Sequence, residues 1–255
     1  VKVASFNVNG IRARLDSLAA FIDRNTPDVI CLQETKVKDD EFPFAELARL
    51  GYGASVAGQA GYNGVAIAAR HPQSDVKIGL FDDGPEAERR LIAATVLGVR
   101  VVSVYVPNGK SVTLPSFVEK LRFLERLRVT LDVSESADAA LVLCGDFNVA
   151  RDDIDVFDPV RLRGELLFHP DERRALSHLL DFGLVDVFRR LHPAQRAYSW
   201  WDYRSGDFHK NRGLRIDYVF STASVAPRVR RAEIDAEPRR HPKPSDHAPV
   251  WVELD

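Results

Sequence analysis

The residues able to do chemistry in this chain stand at the ends of apolar, strand-like runs. Asn7 closes "VKVASFN", Glu34 closes "DVICLQE", Tyr105 and Asn108 follow "VRVVSV", and Asp146 and Asn148 follow "ALVLCG". Asp217 sits inside "LRIDYVF", and Asp246 and His247 are neighbours in "KPSDHAPVWVEL", residues 243–254. The set holds carboxylates, amides, a phenol and one imidazole, with no thiolate cluster. Such donors suit a hard cation, Mg²⁺ or Mn²⁺, and not a structural zinc. A divalent cation, a histidine oriented by an acid and a tyrosine hydroxyl would together serve hydrolysis of a phosphate ester. Each residue also has a structural reading. Asn7 and Asn148 suit turns, Glu34 suits a helix cap, and Tyr105 suits the rim of a core. Asp217 is harder to place that way, because a carboxylate in an apolar strand needs a partner.

The elements that must position these groups are legible as strand-like runs with helical periodicity between them. "VKVASFNV", "DVICLQE", "YGASVAG", "GVAIAAR", "LRIDYVFS", "RRAEIDAE" and "PVWVEL" read as strands. "LIAATVL" and "VRVVSVYV" read as a hairpin turning through Gly98. Between them, Leu114, Phe117, Val118, Leu121, Leu124, Leu127 and Leu131 recur in steps of three and four, which predicts a helix with Thr113 as cap and Pro115 near its start. Residues 12–24 and 172–182 read as amphipathic helices. Pro244 and Pro249 bar a helix through the Asp-His pair and stiffen its loop. Hairpins mixed with crossover helices predict an α/β chain with mixed sheets. Its polar loops are too short to divide residues 1–255 into separate domains.

The bulk numbers exclude some functions. No apolar run approaches the ~20 residues of a membrane helix, and the first residues read as a strand, not a signal peptide. Cys31 and Cys144 lie in apolar runs and are expected as buried free thiols, which suits a reducing cytoplasm. The net charge of −2 is no general attractor of nucleic acid, but residues 189–255 carry more Lys and Arg than Asp and Glu.

"FNVNGIRAR", "PDVICLQETKV", "GYNGVAI", "GDFNVA", "LVDVFR", "YSWWDYRS", "NRGLRIDYVFS" and "PSDHAPV", in that order, resemble the exonuclease III family of abasic-site (AP) DNA endonucleases, within the endonuclease/exonuclease/phosphatase superfamily. The resemblance implies a four-layer α/β sandwich, with two mixed β-sheets packed face to face and flanked by helices. It implies metal-dependent incision of duplex DNA 5′ to abasic sites, with 3′-end trimming. By resemblance Glu34 is the main metal ligand, with Asn7 and Asp246 close by. Asp146, held by Asn148, orients or deprotonates the attacking water, and His247, oriented by Asp217, polarises the scissile phosphate. Tyr105 contacts the phosphate or leaving group, and Asn108 supports substrate binding. The implied cofactor is Mg²⁺ or Mn²⁺. The partner is double-stranded DNA with abasic or blocked 3′ ends, met by a monomer of bacterial type in the cytoplasm and away from membranes.

Substrate choice is expected in the loops. "YSWWDYRSGDFHKNRGLRID" sets Trp200, Trp201 and Tyr203 among Arg204, Lys210, Arg212 and Arg215, a mixture suited to nucleic acid. The alternative is a core tryptophan beside a solvated loop, which Trp201 fits. By resemblance, Trp200, Leu214 and Ile216 line an apolar pocket for the flipped-out abasic sugar, whose extrusion forfeits no stacking. Arg12 and Arg14 are expected at DNA phosphates. The loop "VRLRGELL" departs from the family's small or amide residues, so Leu166 or Leu167 pointing into the pocket would favour 3′→5′ exonuclease or 3′-phosphatase action over AP incision. A relative hydrolysing a non-DNA phosphoester and a catalytically dead DNA-binding module are the other readings. The Trp/Arg loop weighs against the first and the acidic set against the second.

Overall fold

A computed structural model describes residues 1–255, apart from the side chain of Ser205. Twelve strands build two sheets. The first contains β1 (Lys2–Asn7), β2 (Val29–Gln33), β3 (Gly53–Ala57), β4 (Val65–Ala69), β11 (Val229–Ile234) and β12 (Val250–Leu254), in the order β11-β12-β1-β2-β4-β3. The second contains β5 (Ser74–Ile78), β6 (Leu91–Val96), β7 (Val99–Tyr105), β8 (Leu141–Asp146), β9 (Leu184–Asp186) and β10 (Asp217–Thr222), in the order β5-β6-β7-β8-β10-β9. Both have the same internal pattern: one central parallel pair, β1 with β2 and β7 with β8, flanked on each side by antiparallel strands.

The sheets face each other across a core of Val3, Val29, Cys31, Ile67, Ile92, Val101, Val142, Cys144 and Val219. The opposite faces are covered by helices: α1 (Leu15–Asn25) and α2 (Phe44–Arg49) on the first sheet, α3 (Pro115–Ser134) and α5 (Pro170–Leu180) on the second. Short helices α4 (Pro159–Leu162) and α6 (Val187–Leu191) complete the chain. The expected four-layer sandwich is present. Among the described residues, no helix is long and apolar enough to cross a membrane.

The period of two aims the polar strand ends. On β1, Ala4 and Phe6 pack under α1, so Val3, Ser5 and Asn7 face the other sheet. On β8, Leu141 and Leu143 meet the outer helices, so Val142, Cys144 and Asp146 face inward. Tyr105 shares the inward phase of Val99 and Val101, and Asp217 that of Val219. Register then sets Asn7 beside Gln33, and Asp146 between Tyr105 and Asp217.

Three local expectations change. The helix expected from residue 12 begins as a 3-10 turn (Ile11–Arg14) and becomes α1 at Leu15. Leu114, not Thr113, is the N-cap residue of α3, because the Thr113 hydroxyl is engaged with Ser111. The helix expected over 172–182 starts at Pro170, where His169 and Glu172 form a reciprocal cap. The β6–β7 hairpin turns through Leu97 and Gly98, both at positive φ (51° and 75°), as a tight two-residue turn requires.

Candidate active site

Asn7, Asp146, Asn148, Asp217 and His247 are all buried, and Glu34, Tyr105 and Asp246 are half-buried beside them. Asn7 Nδ2 donates to Glu34 Oε1 at 2.7 Å and to Asp146 Oδ2 at 2.9 Å, so one amide ties the first sheet to the second. Asn148 donates its main-chain N–H to Asp146 Oδ1 at 2.9 Å and its side chain to Asp146 Oδ2 at 3.2 Å. Asn108, exposed at the rim, donates to Asn148 Oδ1 at 3.0 Å. His247 Nδ1 lies 2.9 Å from Asp217 Oδ2, and its Nε2 lies 3.7 Å from Asp146 Oδ2.

These contacts set the charges. Burial alone would lower the His247 pKa, but Asp217, Asp146 and Asp246 raise it to about 10, so the ring is an imidazolium at neutral pH. Burial, with Asp217 and Glu34 adding, raises Asp146 to about 7 against the pull of His247 and Asn7. Burial and the nearby Glu34 and Asp146 raise Tyr105 above its ordinary range, so its phenol keeps its proton. Burial would raise Asp246 too, but His247, Trp200 and Asn9 hold it below the ordinary carboxylate value.

A hard cation fits this donor set. Ligand atoms of Glu34, Asp146 and His247 lie within 4.8 Å of one another. The imidazolium has no lone pair to offer, which leaves the oxygens. The carboxylates of Glu34, Asp146, Asp217 and Asp246 crowd together around His247, with the Lys36 ammonium 2.9 Å from Glu34. A divalent ion would offset that crowding. Asp246 stands one step aside from Glu34. Its Oδ1 takes Asn9 Nδ2 at 2.8 Å and its Oδ2 takes Trp200 Nε1 at 3.0 Å, while the Asn9 main-chain N–H donates to Asn7 Oδ1 at 3.0 Å.

The backbone around the site is strained. Asn9, Glu34, Lys36 and Asn148 have φ between 44° and 57°, a region that costs roughly 1 kcal/mol or more for residues other than glycine. Gly145, before Asp146, has φ 148° and lies against β7: a Cβ there would meet the Val104 carbonyl oxygen at 1.9 Å. That close approach explains the glycine of "GDFN".

The pattern of the Endonuclease/Exonuclease/phosphatase family matches residues 4–247. The chain belongs to this family. It is similar to the exodeoxyribonuclease III of Haemophilus influenzae, 38% identical over 100% of both chains. It is also similar to an AP endonuclease from Archaeoglobus fulgidus (41% identity, TM-score 0.96, covering 100% of this chain and 99% of that one). A 3′ phosphatase of Neisseria, solved with a product DNA hairpin, has 38% identity and a TM-score of 0.95, covering 100% of this chain and 99% of that one.

Within this endonuclease/exonuclease/phosphatase fold, Leu214 and Ile216 are buried in one cluster with Val156, Leu167 and Phe168, and Trp200 and Leu166 pack against it half-buried. Leu167, at φ 72°, thus lies in the apolar group that the family resemblance implies for the sugar, while Leu166 Cδ1 lies close over Gly109. Arg12 and Arg212 are exposed, and Arg12 also holds the Glu41 carbonyl at 2.9 Å. Arg14 reaches Tyr203 and the Pro244 carbonyl. Arg215, expected among the surface cations, is instead fully buried: it bridges Asp155 and Asp186 at 2.7–3.1 Å and lies over Tyr218, anchoring the segment between Leu214 and Ile216. Trp201 is core, as expected.

Four residues were missed. Asn9 links Asn7 to Asp246, Lys36 neutralises Glu34, and Ser199 donates to Asp217 Oδ2 at 2.6 Å. The Arg90 guanidinium lies 4.7 Å from the Tyr105 ring centre, beside an open cavity of about 640 Å³ lined also by Glu34, Asn63, Asn108 and Lys110. Asn9, Lys36 and Ser199 stand inside the same sequence motifs as Asn7, Glu34 and Trp200. Arg90 carries no such signal.

Proposed function

We propose that this enzyme hydrolyses the DNA backbone immediately 5′ to an abasic site and trims blocked 3′ ends at the same centre. The observation that carries the reading is the convergence of the His247–Asp217 pair, Asp146, Asn7 and Glu34 beside the apolar cluster of Trp200, Leu214 and Ile216. Mg²⁺ or Mn²⁺, held by Glu34 with Asn7 and Asp246 nearby, would supply positive charge to the phosphoryl oxygens.

The chain's own groups divide the remaining work. Asp146, near neutral in pKa and gripped by Asn7 and Asn148, aims a water at phosphorus and accepts its proton. His247 is an N–H donor, not a base: Asp217 fixes Nδ1, and Nε2 is left to stabilise a phosphoryl oxygen as charge builds. The protonated Tyr105 hydroxyl donates to the phosphate or to the leaving oxygen. Asn108 holds the substrate strand at the rim, and Arg12 and Arg212 meet phosphates of double-stranded DNA.

Residues 1–255 are read as one endonuclease/exonuclease/phosphatase domain, which the pairing of β1 with the last strand supports. The buried free thiols of Cys31 and Cys144 support a reducing, cytoplasmic setting, and the enzyme is read as a monomer. One observation favours a second reading, 3′-end trimming with weak AP incision: Leu167 occupies the same cluster as Leu214 and Ile216.

The test uses an end-labelled duplex with a central abasic analogue, a duplex with a 3′-phosphate, and an undamaged duplex. Each is incubated in Mg²⁺, in Mn²⁺ and in EDTA with wild type, Asp146→Asn and Leu167→Gly. A single metal-dependent cut 5′ to the lesion, lost in Asp146→Asn, is the expected result. Trimming without the internal cut, with incision appearing in Leu167→Gly, would favour the second reading. No cleavage of any duplex would refute both.

A further inference from the structure

Lys120 takes no part in the chemistry above, yet it lies wholly inside the protein on α3, with no exposed surface. Its ammonium donates to three acceptors: the main-chain oxygen of Asn148 at 2.6 Å, the main-chain oxygen of Asn108 at 3.2 Å, and the Glu172 carboxylate. That exhausts its three N–H groups. Glu172 is equally buried and is itself held by the His169 N–H at 3.0 Å, at the start of α5. The chain at Gly109 (φ 89°) folds closely over the lysine stem, where a Cβ would meet Lys120 Cδ at 3.2 Å.

Joining α3 to α5 does not account for this arrangement. Desolvating two charges costs about as much as their attraction returns, and a packed apolar pair joins two helices at least as well. An apolar pair cannot donate to two carbonyls, however. Both carbonyls belong to residues of the site. Asn148, at a strained φ of 52°, grips Asp146 with its main chain and its amide, and Asn108 grips Asn148. From this geometry we infer that Lys120 is a positioning residue of the nuclease. It clamps the loops after β7 and β8 in one relative position, so that Asn148 keeps Asp146 aimed and Asn108 stays at the substrate rim.

The inference rests on the nuclease reading. Cleavage of the abasic duplex by the wild type tests that reading, and only the ratio of variant to wild type bears on Lys120. Glu172→Gln removes the ion pair and keeps both carbonyl bonds; its melting temperature falls while kcat stays within about threefold of wild type. Lys120→Met combined with Glu172→Gln leaves no buried charge and no donor to the carbonyls. Its kcat falls about 30- to 100-fold with KM within about threefold, the scale of a catalytic group displaced by about 1 Å. Should that double variant lack a cooperative melt, Lys120→Gln takes its place under the same thresholds, since its amide is one bond shorter than the lysine and brings two N–H groups to three acceptors. A kcat within threefold of wild type in the folded variant, or a raised KM at unchanged kcat, overturns the inference.

Discussion

Replacing Ser199 by alanine isolates the support beneath the histidine. The Ser199 hydroxyl, fully buried, donates to Asp217 Oδ2 at 2.6 Å and accepts the main-chain N–H groups of Ile216 and Asp217, each at 3.0 Å. Alanine therefore removes one charge-assisted bond and strands two buried N–H donors. A bond to a charged group is worth about 1.5–3 kcal/mol and each stranded donor about 1–3 kcal/mol, so after partial relaxation the loss is about 3–5 kcal/mol. For a chain of this length that corresponds to a melting temperature lower by about 8–15 °C. Asp217 keeps its bond to His247 but loses its stop against rotation, so kcat on an abasic duplex falls about tenfold with KM unchanged. Calorimetry and steady-state cleavage measure the two effects. A melting temperature within about 3 °C of wild type would show that the hydroxyl is not the anchor described, whatever the activity.

Trp200→Phe keeps an apolar wall but removes the N–H donated to Asp246 at 3.0 Å. The half-saturating Mg²⁺ concentration for cleavage should rise about tenfold, the usual effect of losing a partner behind a ligand. An unchanged Mg²⁺ titration would detach Trp200 from the cation. Burial would raise the pKa of Asp155, but Arg215 and Arg189 bring it below the ordinary value. A depressed folded pKa contributes stability that is present above the unfolded value of about 3.9 and lost as pH falls through the folded one. Asp155→Asn should thus cost about 3–5 kcal/mol near pH 7, with a gap to wild type that narrows as melts are taken below about pH 4; a gap constant with pH would refute the assignment. Millimolar Mg²⁺ should raise the melting temperature of EDTA-treated protein, because bound cation relieves the crowded carboxylates. Equal melting temperatures in calorimetry with and without Mg²⁺ would argue against a cation there.

Much of the fold was legible because most strands are buried on both faces and so read as short, nearly continuous apolar runs. The runs around Val3, Val29, Val101, Val142, Val219 and Val250 were each recognisable alone, and so was the Gly98 hairpin. The edge strand β5 was not: all five of its residues are exposed, so it has no apolar phase to read. The site residues were legible as polar interruptions of apolar runs and as members of ordered motifs. Arg215 misled because a charge among aromatics looks the same in sequence whether it faces DNA or two buried aspartates. Lys120 escaped because it sits in a helix rich in charged residues, and only burial separates it from Arg122 or Lys110.

The sequence by itself determined the strands and which polar residues close or interrupt them: Asn7, Tyr105, Asp146 and Asp217. Tertiary structure alone decided that these ends meet. Asn7 and Asp146 are 139 residues apart and joined by one hydrogen bond of 2.9 Å. The physical reason is that periodicity is a property of each strand, whereas the order of strands and the packing of one sheet on another depend on the whole chain. Charge state belongs to the second kind of information. A histidine held protonated and an aspartate raised to about 7 arise from burial and from neighbours distant in sequence, which no local stretch of residues specifies.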